Sequence, residues 1–313
     1  MLTLIARRTL LALAMILAAS ALTFALIAAA PGNVAALIAE RTAGPSASAE
    51  LVQSIADDLG LNDPLPVRYG RWLSDSVAGD FGGSLRTGKP ILEEFAERAP
   101  VTGLLLVCGG AIALIMSLTI GMLGAISNGG KIDSLLRALS LAGASTPNFF
   151  VAALLVMLFS VTLGWLPAFA GSSAASWIMP CLTIALFPCS VLSRVVRVNL
   201  QEIMSRPFAT TGFAMGYTRL GVLTREALPN IAVPYLTTFG AQFTLMIIGS
   251  IVVETVFAMK GIGAFFIEAI RFRDFISMQA TLLSFIMFFV FVNLFVDIIC
   301  LLIDPRIRRQ SNA

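Results

Sequence analysis

Residues 206–230, RPFATTGFAMGYTRLGVLTREALPN, form a polar, arginine-bearing segment between two apolar stretches of membrane-spanning length. The pattern predicts a short helix, a turn at Gly216, a second short helix and then a proline stop before the next apolar stretch. Phe208, Thr211 and Met215 follow the spacing i, i+3, i+7, so we expect them on one face of the first helix. The segment is either a contact surface for a soluble partner or an ordinary cytoplasmic loop, and its shape alone does not separate the two.

The composition of the chain indicates an integral membrane protein. Hydrophobic residues make up 58% of its 313 residues, charged residues only 12%, and the mean hydropathy is +0.90. A soluble domain carries about 25% charged residues. Six apolar stretches are long enough to cross a hydrocarbon core about 30 Å thick. They cover roughly residues 9–30, 101–127, 135–163, 177–198, 232–258 and 278–303.

Three prolines and the first stretch need an interpretation. Pro147 lies inside the third stretch, where a membrane helix can tolerate it. Pro180 and Pro188 make the fourth stretch the weakest candidate. The first stretch follows two arginines as a signal peptide would, but it is longer than the usual apolar region of about 7–15 residues. We therefore interpret it as an uncleaved spanning helix.

The basic residues predict an orientation. Alternate connections place twelve lysines and arginines on one side and nine on the other, and six of the nine lie in one long loop, where the bias counts for less. We expect an inner-membrane protein that crosses several times, with both termini and residues 206–230 in the cytoplasm. Residues 31–98 then lie outside. The net charge of +3 gives no reason to expect a nucleic-acid partner.

The external loop, residues 31–98, is predicted to be organised rather than disordered. Its pattern predicts helices over residues 49–59, 67–77 and 90–98, with a glycine-rich turn over residues 79–89 before the last of them. A structured loop of this length is a docking surface for an external protein, a lid, or a packed cap over the helices.

Residues 83–89, GSLRTGK, nearly match a phosphate-binding loop. Pro90 stands where the motif needs a serine or threonine for Mg²⁺, no buried strand precedes it, and the segment lies outside the membrane. We therefore expect no nucleotide site in this chain. The chain has no histidine, and its four cysteines lie in apolar segments without metal-ligand spacing, so neither a catalytic site nor a metal site is expected.

Two acidic residues, Glu254 and Asp297, fall at the edge of or inside apolar stretches. A charge at the bilayer centre costs about 2.5–3.5 kcal/mol on insertion scales, so such side chains face protein or water. Each of the two could line a translocation path, or bond a backbone group or a neighbouring helix.

Eight stretches, in this order and spacing, resemble permease subunits of the dipeptide, oligopeptide and nickel class of ABC importers. They are LGLNDPLPVRYGRWL (59–73), GDFGGSLRTGKP (79–90), STPNFFVAALL (145–155), GWLPAFAG (164–171), AMGYTRLGVLTREALPNIAVP (214–234), VVETVFAMKGIG (252–263), RDF (273–275) and NLFVDIICLLIDPRIR (293–308). The resemblance implies an all-α membrane protein, one permease domain over residues 1–313, with six spanning helices of the type I importer fold. It also implies an external scoop over residues 31–98 and a pore shared with a second, related permease.

The resemblance assigns residues 206–230 as the coupling segment that contacts an ATPase through an E-A-A-x-x-x-G loop. Thr210, Thr211 and Gly212 stand at the E-A-A positions, and Gly216 is the anchoring glycine. The coupling residues implied are Phe208, Thr210, Thr211, Gly212, Met215 and Gly216. The chain departs from the family pattern at Met215, where a basic residue is usual. It departs again at Glu226, where an amide or histidine-like residue often opens the A-L-x-N stretch.

The resemblance also implies a function without covalent chemistry in this chain. ATP and Mg²⁺ would bind two partner ATPase subunits, an external solute-binding protein would deliver the solute, and the pore would work by alternating access. Peptides are the favoured solute, with nickel or a metal–chelator complex as the alternative within the class. A stand-alone ion-coupled secondary transporter is the alternative from another class, but it predicts internal repeats that the sequence lacks. A membrane scaffold or insertase would have no use for the coupling segment.

Overall fold

A computed structural model describes residues 2–29, 34–44, 47–127 and 129–303, without the side chains of residues 2–5, 41, 208, 301 and 303. The described residues are almost entirely helical, with one isolated bridge between Gly83 and Pro90. The helices are α1 (Leu2–Ala28), α2 (Val34–Ala43), α3 (Ala49–Asp58), α4 (Leu65–Val77), α5 (Ile91–Ser127), α6 (Lys131–Ser145), α7 (Asn148–Leu155, continued by a π-helix over Val156–Thr162), α8 (Ala175–Met204), α9 (Pro207–Ala214), α10 (Arg219–Val222, continued by a π turn over Leu223–Ala227), α11 (Leu228–Val256), α12 (Ile262–Arg271) and α13 (Phe275–Ile303).

Five helical segments within the described residues are long and apolar enough to cross a membrane. They are Ala6–Ala28, Ile91–Ser127, Ala175–Met204, Arg219–Val256 and Phe275–Cys300. A sixth candidate is the pair of α6 and α7, which is bent by 110° at its break. The number of spans is therefore five, or six if this bent pair counts as one.

The bend corrects the prediction of one continuous helix through Pro147. Thr146 has extended backbone angles, φ −94° and ψ 124°, so α6 ends before it and α7 starts after the proline. The ring of a proline crowds the residue before it out of the helical region, and Pro147 acts in this way here.

In α8, which was predicted as the weakest span, prolines do not break the helix. Pro180 and Pro188 both lie inside this unbroken helix of 30 residues, and both are buried. In the most apolar 18 residues of α8, 61% are buried, compared with 17% in the corresponding parts of the first and last spans. Neighbouring helices in a membrane can satisfy the carbonyls that a proline frees, and the burial of α8 provides such neighbours.

The segment between the first two spans, which was predicted to lie outside, contains α2, α3 and α4, followed by an irregular turn. The predicted helices over residues 49–59 and 67–77 are confirmed as α3 and α4, and Gly60, at φ +60°, follows the end of α3. Helix α2 was not predicted. The predicted short helix over residues 90–98 is instead the first part of α5, which continues through Pro100 for 37 residues in all.

The chain divides into two compact units, each with its own core. The first comprises residues 1–9, 100–264 and 291–313, and the second comprises residues 10–99 and 265–290. The main core of the first unit contains Leu192, Val196, Leu200, Leu223, Ala227, Ile231 and Tyr235. A core of the second contains Ile91, Phe265 and Ala280, flanked by Phe81, Phe95 and Ile276.

Candidate functional site

The polar segment over residues 206–230 folds as the predicted helix, glycine turn and helix. Helix α9 starts at Pro207, whose missing N–H costs nothing at a helix start. After α9 the chain reverses at Gly216, where φ is +85°. The turn is closed by the N–H of Tyr217, which donates to the carbonyl of Gly212 at 3.1 Å. Positive φ is the reason that glycine occupies this position.

The second helix of the segment does not stop at the proline. Thr218 caps α10, since its hydroxyl oxygen accepts from the N–H of Gly221 at 3.2 Å. The helix then widens into the π turn over Leu223–Ala227 and continues directly into α11. The predicted stop at Pro229 is therefore wrong. Pro229 lies in the first turn of α11, immediately after the wide turn, and the helix continues through it.

One face of the segment is buried against the rest of the first unit. Ala209 and Val222 are fully buried, and Leu223 and Ala227 belong to the core cluster formed largely by α8. Gly212 is buried as well. A methyl group at Gly212 would lie 3.1 Å from Cγ2 of Val222, so the absent side chain lets α9 and α10 pack closely.

One arginine reinforces this attachment. Arg219 donates from Nη2 to the carbonyl of Ala125, near the end of α5, at 3.2 Å. A second arginine acts within the segment itself, since the guanidinium of Arg225 lies over the ring of Tyr217, 5.2 Å from its centroid. Residues 206–230 are thus held against α5 and α8 on their inner side.

The outer face of the segment is exposed and partly apolar. Thr210, Thr211 and Gly216 are exposed, and Met215 is 61% exposed. Phe213 and Leu220 are also exposed, although they were not among the predicted coupling residues. The sequence feature that could have identified them is a large apolar side chain within an otherwise polar segment. The side chain of Phe208 lies outside the described residues. Of the five predicted coupling residues whose burial the structure describes, Gly212 alone is buried, and it is a packing position.

Glu254 is fully buried and holds the junction between α11 and α12. Its Oε1 accepts from the hydroxyl of Thr102 at 2.7 Å, and its Oε2 accepts from the N–H of Ala264, in the first turn of α12, at 2.9 Å. Side-chain oxygens at a helix start satisfy N–H groups that have no partner within the helix. A methyl group added at Gly261 would lie 2.4 Å from the carboxylate, so the GIG sequence leaves room for it. In this structure Glu254 bonds protein groups.

Asp297, on α13, forms an ion pair with Arg8 on α1. Both side chains are partly exposed, at 44% and 37%. The ion pair links the two ends of the described chain within the first unit. The sequence placed Arg8 only among the orienting charges and left Asp297 without a partner.

The turn over residues 83–89, which resembles a phosphate-binding loop, binds the carboxylate of a residue from the same chain. Ser84 donates from its hydroxyl to Oδ2 of Asp274 at 2.6 Å, and the N–H of Arg86 donates to the same oxygen at 3.2 Å. Lys89 instead pairs with Glu97 at 2.9 Å and with Glu93 at 3.3 Å. The hydrogen bond to Glu97, and to a smaller extent the one to Glu93, raises the pKa of the Lys89 ammonium. The anion that this turn binds is therefore the side chain of Asp274.

Sequence comparison matches almost the whole chain to one type of protein. Residues 117–309 match the family "Binding-protein-dependent transport system inner membrane component", and residues 1–107 match the corresponding N-terminal family. A probable peptide ABC transporter permease protein of Sinorhizobium fredii is 36% identical over 91% of this chain and 92% of its own length. A putative peptide transport system permease protein of Brucella abortus is 37% identical over 98% and 99%. The glutathione transport system permease protein GsiC of Escherichia coli K12 is 33% identical over 92% and 93%.

A solved structure supports the fold. The inward-facing MetNI methionine ABC transporter matches with a TM-score of 0.57 and 14% sequence identity, over 68% of this chain and 97% of the matched chain. The likeness is one of fold alone. Together with the family match, these findings confirm the resemblance seen in the sequence motifs. The chain belongs to the family of binding-protein-dependent transport system inner membrane components and is a multi-pass permease subunit of an ABC importer, not itself an enzyme.

Proposed function

We propose that the chain forms half of the translocation pore of an ATP-driven importer of short peptides. The names of the relatives support the solute class, since those described above are permeases for peptides and for glutathione, itself a peptide. The observation that carries the proposed mechanism is the coupling segment, braced on its inner face and exposed on its outer face. A short element of this kind transmits force from a docked partner into the spans behind it.

The family supports ATPase and solute-binding partners, and we infer the complete set. A second, related permease completes the pore, and two ATP-binding subunits bind ATP and Mg²⁺. An external solute-binding protein delivers the peptide. The outer face presents Met215, Phe213 and Leu220, which are 61%, 43% and 53% exposed, to an ATPase groove. Apolar side chains of this size at the centre of a contact carry much of its binding free energy. Thr210 and Thr211 provide the polar rim.

Transmission relies on the inner face of the segment. Leu223 and Ala227 pack among Leu192, Val196 and Leu200 on α8, so a displacement of the segment reaches a buried spanning helix directly. Closing of the two ATPase subunits on ATP would then move α8 and α11 through the same contacts. Packed interfaces of this kind switch between discrete arrangements rather than deform continuously, as alternating access requires.

We also infer the orientation of the chain. The coupling segment must face the ATPase, so both termini lie in the cytoplasm and the segment with α2, α3 and α4 lies outside. The excess of basic residues on the cytoplasmic side supports this arrangement.

Reconstitution tests this proposal. The chain is co-expressed with its genomic neighbours, purified and placed in proteoliposomes with the binding protein outside and ATP inside. We expect uptake of a labelled dipeptide that needs ATP and all subunits. Uptake driven by an ion gradient without ATP would identify a secondary transporter. Uptake of nickel or a nickel chelate, with no uptake of peptide, would move the chain to the metal branch of the class.

A further inference from the structure

The second unit contains a cavity of about 550 Å³ that the coupling mechanism does not use. The ends of α1 and α13, helix α4 and the turn after it line this cavity. Its volume lies within the range of about 300–1,000 Å³ that is typical of small-molecule sites. The wall combines aromatic side chains with two arginines, two aspartates and one buried amide.

The buried amide belongs to Gln279, on α13. This residue is only 8% exposed, and its Nε2 has no hydrogen-bond acceptor among the described residues. Buried polar groups in folded proteins nearly always have a partner, because an unpaired donor loses its hydration without compensation. The amide N–H groups of Gln279 therefore require an acceptor, and a molecule in the cavity would supply it.

The charged side chains of the wall favour a ligand with two opposite charges. Arg71 is already neutralised by Asp63, with Nη2 and Oδ2 2.7 Å apart. Arg68 has no acidic partner in the described part of the chain, and its guanidinium lies 5.9 Å from the ring centroid of Phe24. Asp75 likewise forms no ion pair with any described residue. The cavity thus offers a guanidinium for an anionic group and a carboxylate for a cationic one.

The aromatic side chains of the wall favour an apolar body between these charges. The rings of Phe24 and Trp72 lie 5.7 Å apart, centroid to centroid, and both line the cavity. Aromatic rings of this kind bind apolar side chains through area burial and edge contacts.

We propose that this cavity binds a short zwitterionic peptide with an apolar side chain, at a site that shares no lining residue with the segment over residues 206–230. The peptide carboxylate pairs with Arg68 and accepts from Nε2 of Gln279, and the peptide ammonium pairs with Asp75. The apolar side chain packs against Phe24 and Trp72. The choice of a peptide rests on the proposed function. A zwitterionic phospholipid headgroup carries similar charges, but a whole lipid exceeds the volume of the cavity.

Calorimetric titration of the purified full-length chain with leucyl-phenylalanine tests the site. We expect saturable binding that weakens about tenfold for the N-acetylated peptide and about tenfold for the C-amidated one, because each removes one charge-assisted contact. Gln279→Leu and Arg68→Gln should each weaken binding by about tenfold as well. Arg271→Gln, an equal change at an exposed arginine away from the cavity, should bind like the unaltered chain.

A second variant separates recognition from misfolding. Gln279→Glu keeps the size of the side chain but places a carboxylate beside that of the peptide, so it should reverse the preference in favour of the C-amidated peptide. Equal binding of all peptide forms, or no binding by the unaltered chain, overturns the proposal. Retention of phosphatidylethanolamine in native mass spectra, lost with Arg68→Gln, together with absent peptide binding, would assign the cavity to lipid. ATP-driven uptake by the assembled transporter is measured in parallel. Uptake without cavity binding refutes only this site, whereas cavity binding without uptake refutes only the transport function.

Discussion

The carboxylate of Glu254 accepts a hydrogen bond from the hydroxyl of Thr102 at 2.7 Å, although 152 residues separate them in the chain. The Thr102 oxygen in turn accepts from the N–H of Ile262 at 2.8 Å, and Glu254 also accepts from the N–H of Ala264. Helices α5 and α11 and the start of α12 are therefore joined by one buried polar cluster, in which each group depends on the others.

Replacement of Glu254 by alanine should destabilise the protein rather than alter its solute. The change leaves the Thr102 hydroxyl and the Ala264 N–H without their acceptor in a buried place, which costs about 1–3 kcal/mol for each group. The measurement is the thermal unfolding midpoint of the purified chain in detergent, followed by tryptophan fluorescence.

Two control variants test whether the loss of stability is specific to the buried carboxyl group. Glu254→Gln keeps one acceptor oxygen and should lose less stability, and Glu202→Ala, at an exposed glutamate, should lose almost none. A normal unfolding midpoint for Glu254→Ala combined with lost transport would instead place Glu254 on the translocation path.

Gly216→Val should uncouple the transporter while the spans stay folded. The φ of +85° lies in the left-handed region, where a residue with a side chain costs about 1–2 kcal/mol and a β-branched one more. A methyl group would meet no atom within 4 Å, so the effect arises from the backbone and not from a clash. Gly216→Asn is the matched control, since asparagine tolerates this conformation. The readout is peptide uptake per ATP hydrolysed, and equal ratios for both variants would contradict the prediction.

Met215→Asp should weaken the contact with the ATPase. The side chain is 61% exposed in the free chain, and a charge buried there on docking loses its hydration. We expect the variant to reach the membrane in normal amount but to retain less ATPase on affinity purification. Met215→Leu keeps an apolar side chain of similar size and should retain the ATPase. If the aspartate variant co-purifies and transports normally, the segment is an ordinary loop.

Lys89→Ala should leave ATP hydrolysis by the assembled complex unchanged to within about twofold, because the lysine of this turn meets glutamates and not a phosphate. Asp274→Asn should instead lower the unfolding midpoint. The change replaces a charged acceptor with a neutral amide and so weakens the hydrogen bonds that Ser84 and Arg86 donate to it. A loss of hydrolysis with Lys89→Ala comparable to the loss of an ATPase lysine would restore the nucleotide interpretation.

Reporter fusions test the orientation and the bent pair together. Fusions after Gly130 and Thr218 should be cytoplasmic, and fusions near Ser74 and Ser172 external. If Gly130 and Ser172 report the same side, the 110° bend between α6 and α7 belongs to a re-entrant loop and not to a broken span. A cytoplasmic Ser74 would overturn the whole arrangement.

Local sequence patterns predicted most helices, but not the effects of the prolines. Pro147 breaks a helix, Pro188 and Pro100 do not, and Pro229 follows a π turn. The residues on either side of a proline do not reveal which neighbours will satisfy the freed carbonyl, so sequence alone could not separate these cases.

The same limit applies to the polar residues. Glu254 and Asp297 were recognised as unusual, because a charge in an apolar stretch is visible in the sequence. Their partners, Thr102 and Arg8, are distant in the chain and carry no local signal. The exposed side of the coupling segment was only partly predicted, since Gly212 faces inward to Val222.

The π turn over Leu223–Ala227 sets how far α9 and α10 are rotated about the axis of α11. There the N–H of Leu228 donates to the carbonyl of Leu223, five residues back, so the turn holds one residue more than an α-helix would. One residue corresponds to about 100° of rotation about a helix axis. Deletion of a single residue in this turn would restore α geometry and swing the face that carries Met215 by roughly a quarter of a revolution. The direction in which the exposed face with Met215 points thus depends on the number of residues in this turn and not on their chemistry.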